Sequence, residues 1–213
     1  MRSIAVGMSR QTVAALLAGG FRLLAFKAVG TDASGTVPLV WYETGQFSLS
    51  TVLSWPDDLS AYASQSGIVP GVPVAMDMTT GVATGEVAEI QNGAMTTKTG
   101  GPFGLVMIAN EDRQLWTAGI AQAVDGVLGP YCAVPLHPAA SAVLKPANQI
   151  LLMFAPLPAP AGTAFTNAPA AGLLIDMAGA LNANVSFDIS AGWSGSGRQV
   201  AHGADLVSLL ILE

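Results

Sequence analysis

Between Phe47 and Trp55 the chain alternates with strict period two. Phe47, Leu49, Thr51, Leu53 and Trp55 fall on one side, and Ser48, Ser50, Val52 and Ser54 on the other. Successive side chains of an extended strand point to opposite faces, so this segment fits a strand with one buried and one solvated face and fits no helix. A half-buried strand must belong to a sheet that packs on something, and this one segment therefore sets the fold class. The surrounding sequence agrees. Phe21–Val29, Val37–Glu43 with Pro38 near its start, Leu115–Val124, Tyr131–Leu136 and Val207–Leu212 read as further strands. From Ile68 to Ala109 short runs are separated by Pro70-Gly71, Thr80-Gly81, Asn92-Gly93 and Gly100-Gly101. Asn-Gly is a preferred pair for a tight hairpin turn. Strands at this spacing predict an all-β, mainly antiparallel β-sandwich.

Two short helices are expected within it. Ser9 is placed to cap a helix that buries Val13, Leu16 and Leu17 and stops at Gly19-Gly20. Pro56-Asp57-Asp58, followed by Leu59 and Tyr62, reads as the start of the second, because proline suits the first helical position and acids favour the first turn. The 213 residues fit a single domain, 1–213, built of two similar halves, 1–112 and 113–213. Arg22–Phe26 is echoed by Gln149–Phe154 with one insertion. The series ending at Trp55 is echoed by Val185, Phe187, Ile189, Ala191 and Trp193. This correspondence predicts an internal pseudo-repeat.

Charge decides which partners are open to the chain. Eight Lys and Arg stand against 14 Asp and Glu, only 10% charged in all, with net charge −6. Phosphate binding needs Lys and Arg, so nucleic acid is excluded as a general partner. A chain this apolar is not disordered. A surface so poor in charge predicts burial against other copies, since stable interfaces are depleted in charge, and a homo-oligomer is expected. The longest charge-free stretch, Pro146–Ile175, carries prolines at 146, 156, 158, 160 and 169 and cannot be a membrane-spanning helix. The N-terminus has two arginines before a short apolar run, which makes no convincing signal peptide. The localisation expected from these features is cytoplasmic, or release without a cleaved signal.

Sites of known chemistry are sparse. Cys132 stands alone, so no intrachain disulfide or Cys-rich zinc site is expected. His137 and His202 read as loop residues, and no nucleophile elbow, phosphate loop or dinucleotide fingerprint occurs. Of the acidic candidates, Asp57-Asp58 reads as a helix cap and Glu111-Asp112 as a solvated turn; Glu86 with Glu89 and Asp176 with Asp188 complete the set. No catalytic residue, metal or cofactor is expected. The candidate ligand-binding residues are Trp55, Trp193, Trp41, Tyr42 and Trp116, whose flat rings could stack on a sugar, with Ser194-Gly-Ser-Gly197 as a polar rim. The competing role for Trp55 and Trp193 is to plug the ends of the sandwich. The expected function is a non-enzymatic, self-associating, lectin-like binding protein that takes a glycan or another small molecule. The alternatives are a structural assembly or virion decoration subunit, a pore-forming β protein that inserts Phe47–Trp55 or Leu115–Val124 as hairpins, and an enzyme of unrecognised type.

Overall fold

The computed structural model describes residues 1–212. In chain order it runs β1 (Arg2–Gly7), α1 (Arg10–Ala18), β2 (Arg22–Gly30), β3 (Val37–Pro38), β4 (Val40–Thr44), β5 (Ser50–Trp55), β6 (Leu59–Ser64), β7 (Met78–Val82), β8 (Glu86–Gln91) and β9 (Ala94–Thr99). It continues with β10 (Val106–Asn110), β11 (Trp116–Val124), β12 (Val127–Pro130), β13 (Cys132–Leu136), β14 (Ser141–Ala155), β15 (Gly172–Asp176), β16 (Asn182–Asp188), β17 (Gly192–Gly195), β18 (Arg198–Val200), α2 (Leu206–Leu210) and β19 (Ile211–Leu212).

The strands form three sheets: one of four in the order β17-β16-β1-β5, one of nine built on β14 and β2, and one of six centred on β11. Most ladders are antiparallel. The pairs β1 with β16, β8 with β10 and β2 with β19 are parallel. Inward-facing residues of all three sheets merge into one core that includes Ile4, Leu53, Ile120, Leu152 and Val185. Two smaller clusters lie outside it. One packs Phe26, Leu151 and Met153 of the nine-stranded sheet under Leu206 and Leu210 of α2. The other packs Tyr62, Ala121 and Ala133 under Val74 and Ala164. The result is the expected β-rich, sandwich-like fold, with helical cover on one face.

In the four-stranded sheet the expected alternation holds from Ser50 onward, while Phe47–Leu49 lie outside the strand and Leu49, placed on the buried side by the sequence pattern, is 49% exposed. Thr51, Leu53 and Trp55 face the core, while Ser50, Val52 and Ser54 face out. Register aligns the outward residues in rows: Ser54–Ser3–Asn182, Val52–Ala5–Asn184 and Ser50–Gly7–Ser186. Helix α1 begins where expected, with the Ser9 Oγ accepting from the Thr12 amide at 3.0 Å, and Gly19 forms its C-cap. Of its predicted stripe Leu16 is buried and Val13 partly so, but Leu17 is 52% exposed. Asn92 and Gly93 both take positive φ, 53° and 71°, and join β8 to β9 as a tight hairpin.

Three local expectations are corrected, and one strand was not anticipated. No helix follows Trp55. Leu59–Ser64 is a strand, β6, paired on both sides by β11 and β7, and Asp57 binds the Arg2 guanidinium at 2.9 Å instead of capping a helix. Pairing along two edges outweighs a weak helix-start signal. The C-terminal segment Val207–Leu212 is mostly helix, because Asp205 accepts from the Val207 and Ser208 amides and nucleates α2; only Ile211 and Leu212 are extended. Arg2–Gly7, to which no element was assigned, becomes a central strand with Ile4 and Val6 on its buried side. The run Val185–Trp193 is not one strand: it turns after Asp188, with Gly192 at φ 82°, and Trp193 pairs back against Phe187.

Close backbone approach holds the six-stranded sheet together at Gly119. A Cβ there would lie 2.0 Å from the Cys132 carbonyl oxygen and 2.8 Å from the Tyr62 ring, whose hydroxyl donates to that same carbonyl at 2.7 Å. Gly119→Ala is expected to cost about 3 kcal/mol, the upper end of the usual overpacking range. Gly81→Ala, with open space around the new methyl, is expected to change stability by less than about 0.5 kcal/mol. Urea unfolding of the two variants checks this.

Candidate functional site

Two strands at sheet edges define the groove of greatest chemical interest. The edge strand of the four-stranded sheet is β17, and that of the nine-stranded sheet is β18. The Gln199 side-chain Nε2 on β18 donates to the Trp193 carbonyl on β17 at 2.8 Å, which ties the two edges together. Beside this tie lies a groove of about 540 Å³ lined by Phe21, Phe154, Phe187, Ile189, Trp193 and Gln199.

Its wall is a stack of rings. Phe154 lies nearly parallel to Trp193, with centroids 5.4 Å apart and planes at 15°. Phe187 stands 4.6 Å from Phe154 and 5.0 Å from Trp193, and Phe47 meets Phe154 edge-on at 5.2 Å. Phe21 and Phe187 are only partly buried, and Gln199 is exposed. The Trp193 Nε1 donor is enclosed and has no acceptor among the described residues. Phe154 and Trp193 are themselves buried, 4% and 6% exposed, so the open ring surface of the groove comes from Phe21 and Phe187, with a few polar groups at its edge.

The five aromatics singled out in the sequence do not come together. Trp41 and Trp55 meet edge to face at 5.3 Å, each 1% exposed, and neither offers a ring face to solvent. Trp116 is buried elsewhere in the core with its Nε1 unpartnered. These three are core residues, which corrects their assignment as a binding platform. Tyr42 is half-buried; burial first and the Asp125 carboxylate second push its hydroxyl above the usual range. Only Trp193 reaches the groove, at 6% exposure. The phenylalanines that complete the groove were missed as site residues, because nothing in their spacing predicts that Phe21, Phe154 and Phe187 converge. No family model, curated protein or solved structure matches this chain.

A second polar cluster lies beneath Trp41 and is closed to solvent. Lys27 on β2 is 3% exposed, in a position the sequence reading treated simply as part of an apolar strand. Its Nζ donates to the Gln122 Oε1 and stands 5.1 Å from the Trp41 ring centroid and 5.4 Å from that of Tyr131. The Gln122 Nε2 in turn donates to the Pro56 carbonyl at 2.7 Å, and the Trp41 Nε1 donates to the Gln122 carbonyl at 2.9 Å. One acceptor and two π faces thus replace the water around the ammonium. Burial and, secondarily, the nearby Arg2 charge lower the Lys27 pKa to about 8, against a smaller opposing effect of Asp57.

This depression has a definite sign. The unfolded lysine holds its proton up to its ordinary value of 10.5, so above pH 8 the unfolded chain binds more protons and stability rises with pH. Burial raises the Cys132 thiol from 9.0 to about 12, which works in the opposite direction above pH 9. The clean window is therefore pH 8 to 9, where urea unfolding is expected to show a gain of about 1 kcal/mol. Lys27→Met is expected to abolish that gain.

Proposed function

We propose that this is a non-enzymatic, self-associating β-sandwich binding protein of lectin-like kind, whose ligand seats in the groove between β17 and β18. The observation that carries the reading is the ring wall of Phe21, Phe154, Phe187 and Trp193 beside the Gln199 amide. A pyranose has an apolar C–H face and a hydroxyl rim, and this wall matches the first while the exposed edge matches the second. The Gln199 Oε1 makes no hydrogen bond among the described residues, which leaves it as an acceptor for a hydroxyl. Ser190, in the exposed turn at the groove's end, is a further polar contact. Weak single sites of this kind gain avidity when copies associate. The echo between the two halves of the sequence is retained here only for β2 with β4 and β14 with β15, two antiparallel pairs that adjoin through the β2–β14 ladder; its other part is lost, because β5 is a single strand antiparallel to β1 while Val185–Trp193 divides into β16, parallel to β1, and β17.

A membrane-acting role draws less support. Of the two segments considered as inserting hairpins, Leu115–Val124 supplies the central strand of the six-stranded sheet and Phe47–Trp55 supplies an edge strand.

A glycan array followed by calorimetry tests the proposal. Ala171 is exposed at the groove, and Ala171→Trp is expected to fill it and weaken binding at least about tenfold with an unchanged melting temperature. Gln199→Ala is expected to weaken binding by about five- to tenfold through the lost amide. Absence of any saturable glycan binding by the wild-type protein would overturn the reading.

A further inference from the structure

Arg198 and Gln199 are neighbours on β18 and lie on opposite faces of the nine-stranded sheet. Gln199 pairs with Leu173, a residue of the main core, and lines the aromatic groove. Arg198 pairs with Leu174, which belongs to the outer cluster under α2. On that outer face a separate cavity of about 560 Å³ opens between the sheet and α2. Leu174, Leu209 and Leu212 give it an apolar lining, and Gln149, Asp176, Ser196 and Arg198 supply polar groups around them.

Register places the two charges. Gln149 stands opposite Asp176 on the β14–β15 ladder, and Leu174 stands opposite Arg198 on the β15–β18 ladder. Asp176 is two residues beyond Leu174, so it shares that face and takes the diagonal position from Arg198. Diagonal neighbours across an antiparallel pair are about 7–8 Å apart. The backbone that carries Ser196 and Arg198 is pressed onto β15: a Cβ at Gly197 would lie 2.8 Å from the Leu174 carbonyl oxygen. Even so, Arg198 and Asp176 form no ion pair, with each other or with any other described residue. The Asp176 Oδ1 accepts from the Ala178 amide at 2.8 Å, which orients the carboxylate and leaves its other oxygen open. Two opposite charges therefore border one cavity, each without a charged partner.

We propose that this cavity binds a small apolar zwitterion, an aliphatic α-amino acid, with its carboxylate on Arg198, its ammonium on Asp176 and its side chain against Leu174, Leu209 and Leu212. Charge decides the class. A guanidinium presents a fork of donors that matches a carboxylate. A simple carboxylic acid would find that fork, but it would also meet Asp176 and the field of a chain with net charge −6. A simple amine would suit Asp176 and be repelled by Arg198. A zwitterion has no net charge and answers both groups. Both charged groups are exposed, so solvent screens each contact and the affinity is low. The site is on the other face of β18 from the groove and does not rest on the glycan reading.

Titration of the isotopically labelled protein with L-leucine, followed by amide NMR shifts, tests this. Saturable shifts are expected at Leu174, Asp176, Gly197, Arg198 and Leu209. Leucine methyl ester lacks the carboxylate charge and N-acetyl-leucine lacks the ammonium, and each is expected to bind about tenfold more weakly than leucine. Arg198→Gln is expected to remove the preference for leucine over its methyl ester, and Asp176→Asn the preference over N-acetyl-leucine. Both positions are exposed, so the melting temperature is expected to stay unchanged. Arg113→Gln, which removes the same charge from an exposed turn before β11, is expected to bind leucine as the wild type does. Absence of saturable shifts at those amides overturns the proposal. So does equal binding of leucine and both analogues, or a preference that the two variants leave intact. Leucine binding by a protein that binds no glycan supports this site and overturns the groove reading alone.

Discussion

One hydrogen-bonded lysine holds the three sheets in a common arrangement. Lys27 comes from the nine-stranded sheet, Gln122 from the six-stranded sheet, and Pro56 from the end of β5 in the four-stranded sheet. The ammonium, the amide and the carbonyl form a chain of donors and acceptors that is satisfied only when all three sheets take their places. Buried ionised groups seldom add net stability, because desolvation consumes much of the gain. Their value is that wrong arrangements leave a bare charge in the core. In a sandwich otherwise lined by interchangeable aliphatic residues, such a group supplies the discrimination that shape alone does not. The rings of Trp41 and Tyr131 lower its cost, while the Tyr131 hydroxyl has no hydrogen-bond partner among the described residues.

The fold class was legible in the sequence because it depends on short-range patterns. The period-two run of β5, the Asn92-Gly93 hairpin and the Ser9 cap are each decided by neighbouring residues, and each is found in the structure. The failures share a cause. At Pro56-Asp57-Asp58 the local signal favours a helix, but pairing with β7 and β11 prevails. At Arg2–Gly7 the alternation of Ile4 and Val6 with Ser3, Ala5 and Gly7 is too short to stand out, and the strand is fixed by β5 and β16 on either side of it. The break after Asp188 was invisible because Ile189 and Ala191 continue the alternation while the backbone turns.

The site was less legible than the fold. Tryptophans attract attention as ring platforms, yet an apolar sandwich with few charges has equal use for them as filling. Trp41, Trp55 and Trp116 serve that use. The groove depends on phenylalanines drawn from positions 21, 154 and 187, whose convergence is a property of sheet order, not of spacing. Lys27 was obscured in the opposite way: a lysine within an apolar strand is usually a surface residue, and only its neighbours across the core show otherwise.

The placement of β1 bears on how the chain is made. Residues 2 to 7 are synthesised well before residues 182 to 188, yet one of their two ladders belongs to β16. The Arg2 guanidinium likewise donates to the carbonyls of Met177 and Ala180. Until β16 and β17 have been synthesised, β1 has one open edge, and the core side of its sheet lacks Val185 and Trp193. Closure of this sheet therefore waits for a distant segment, and until then the open edge must be kept from neighbouring chains.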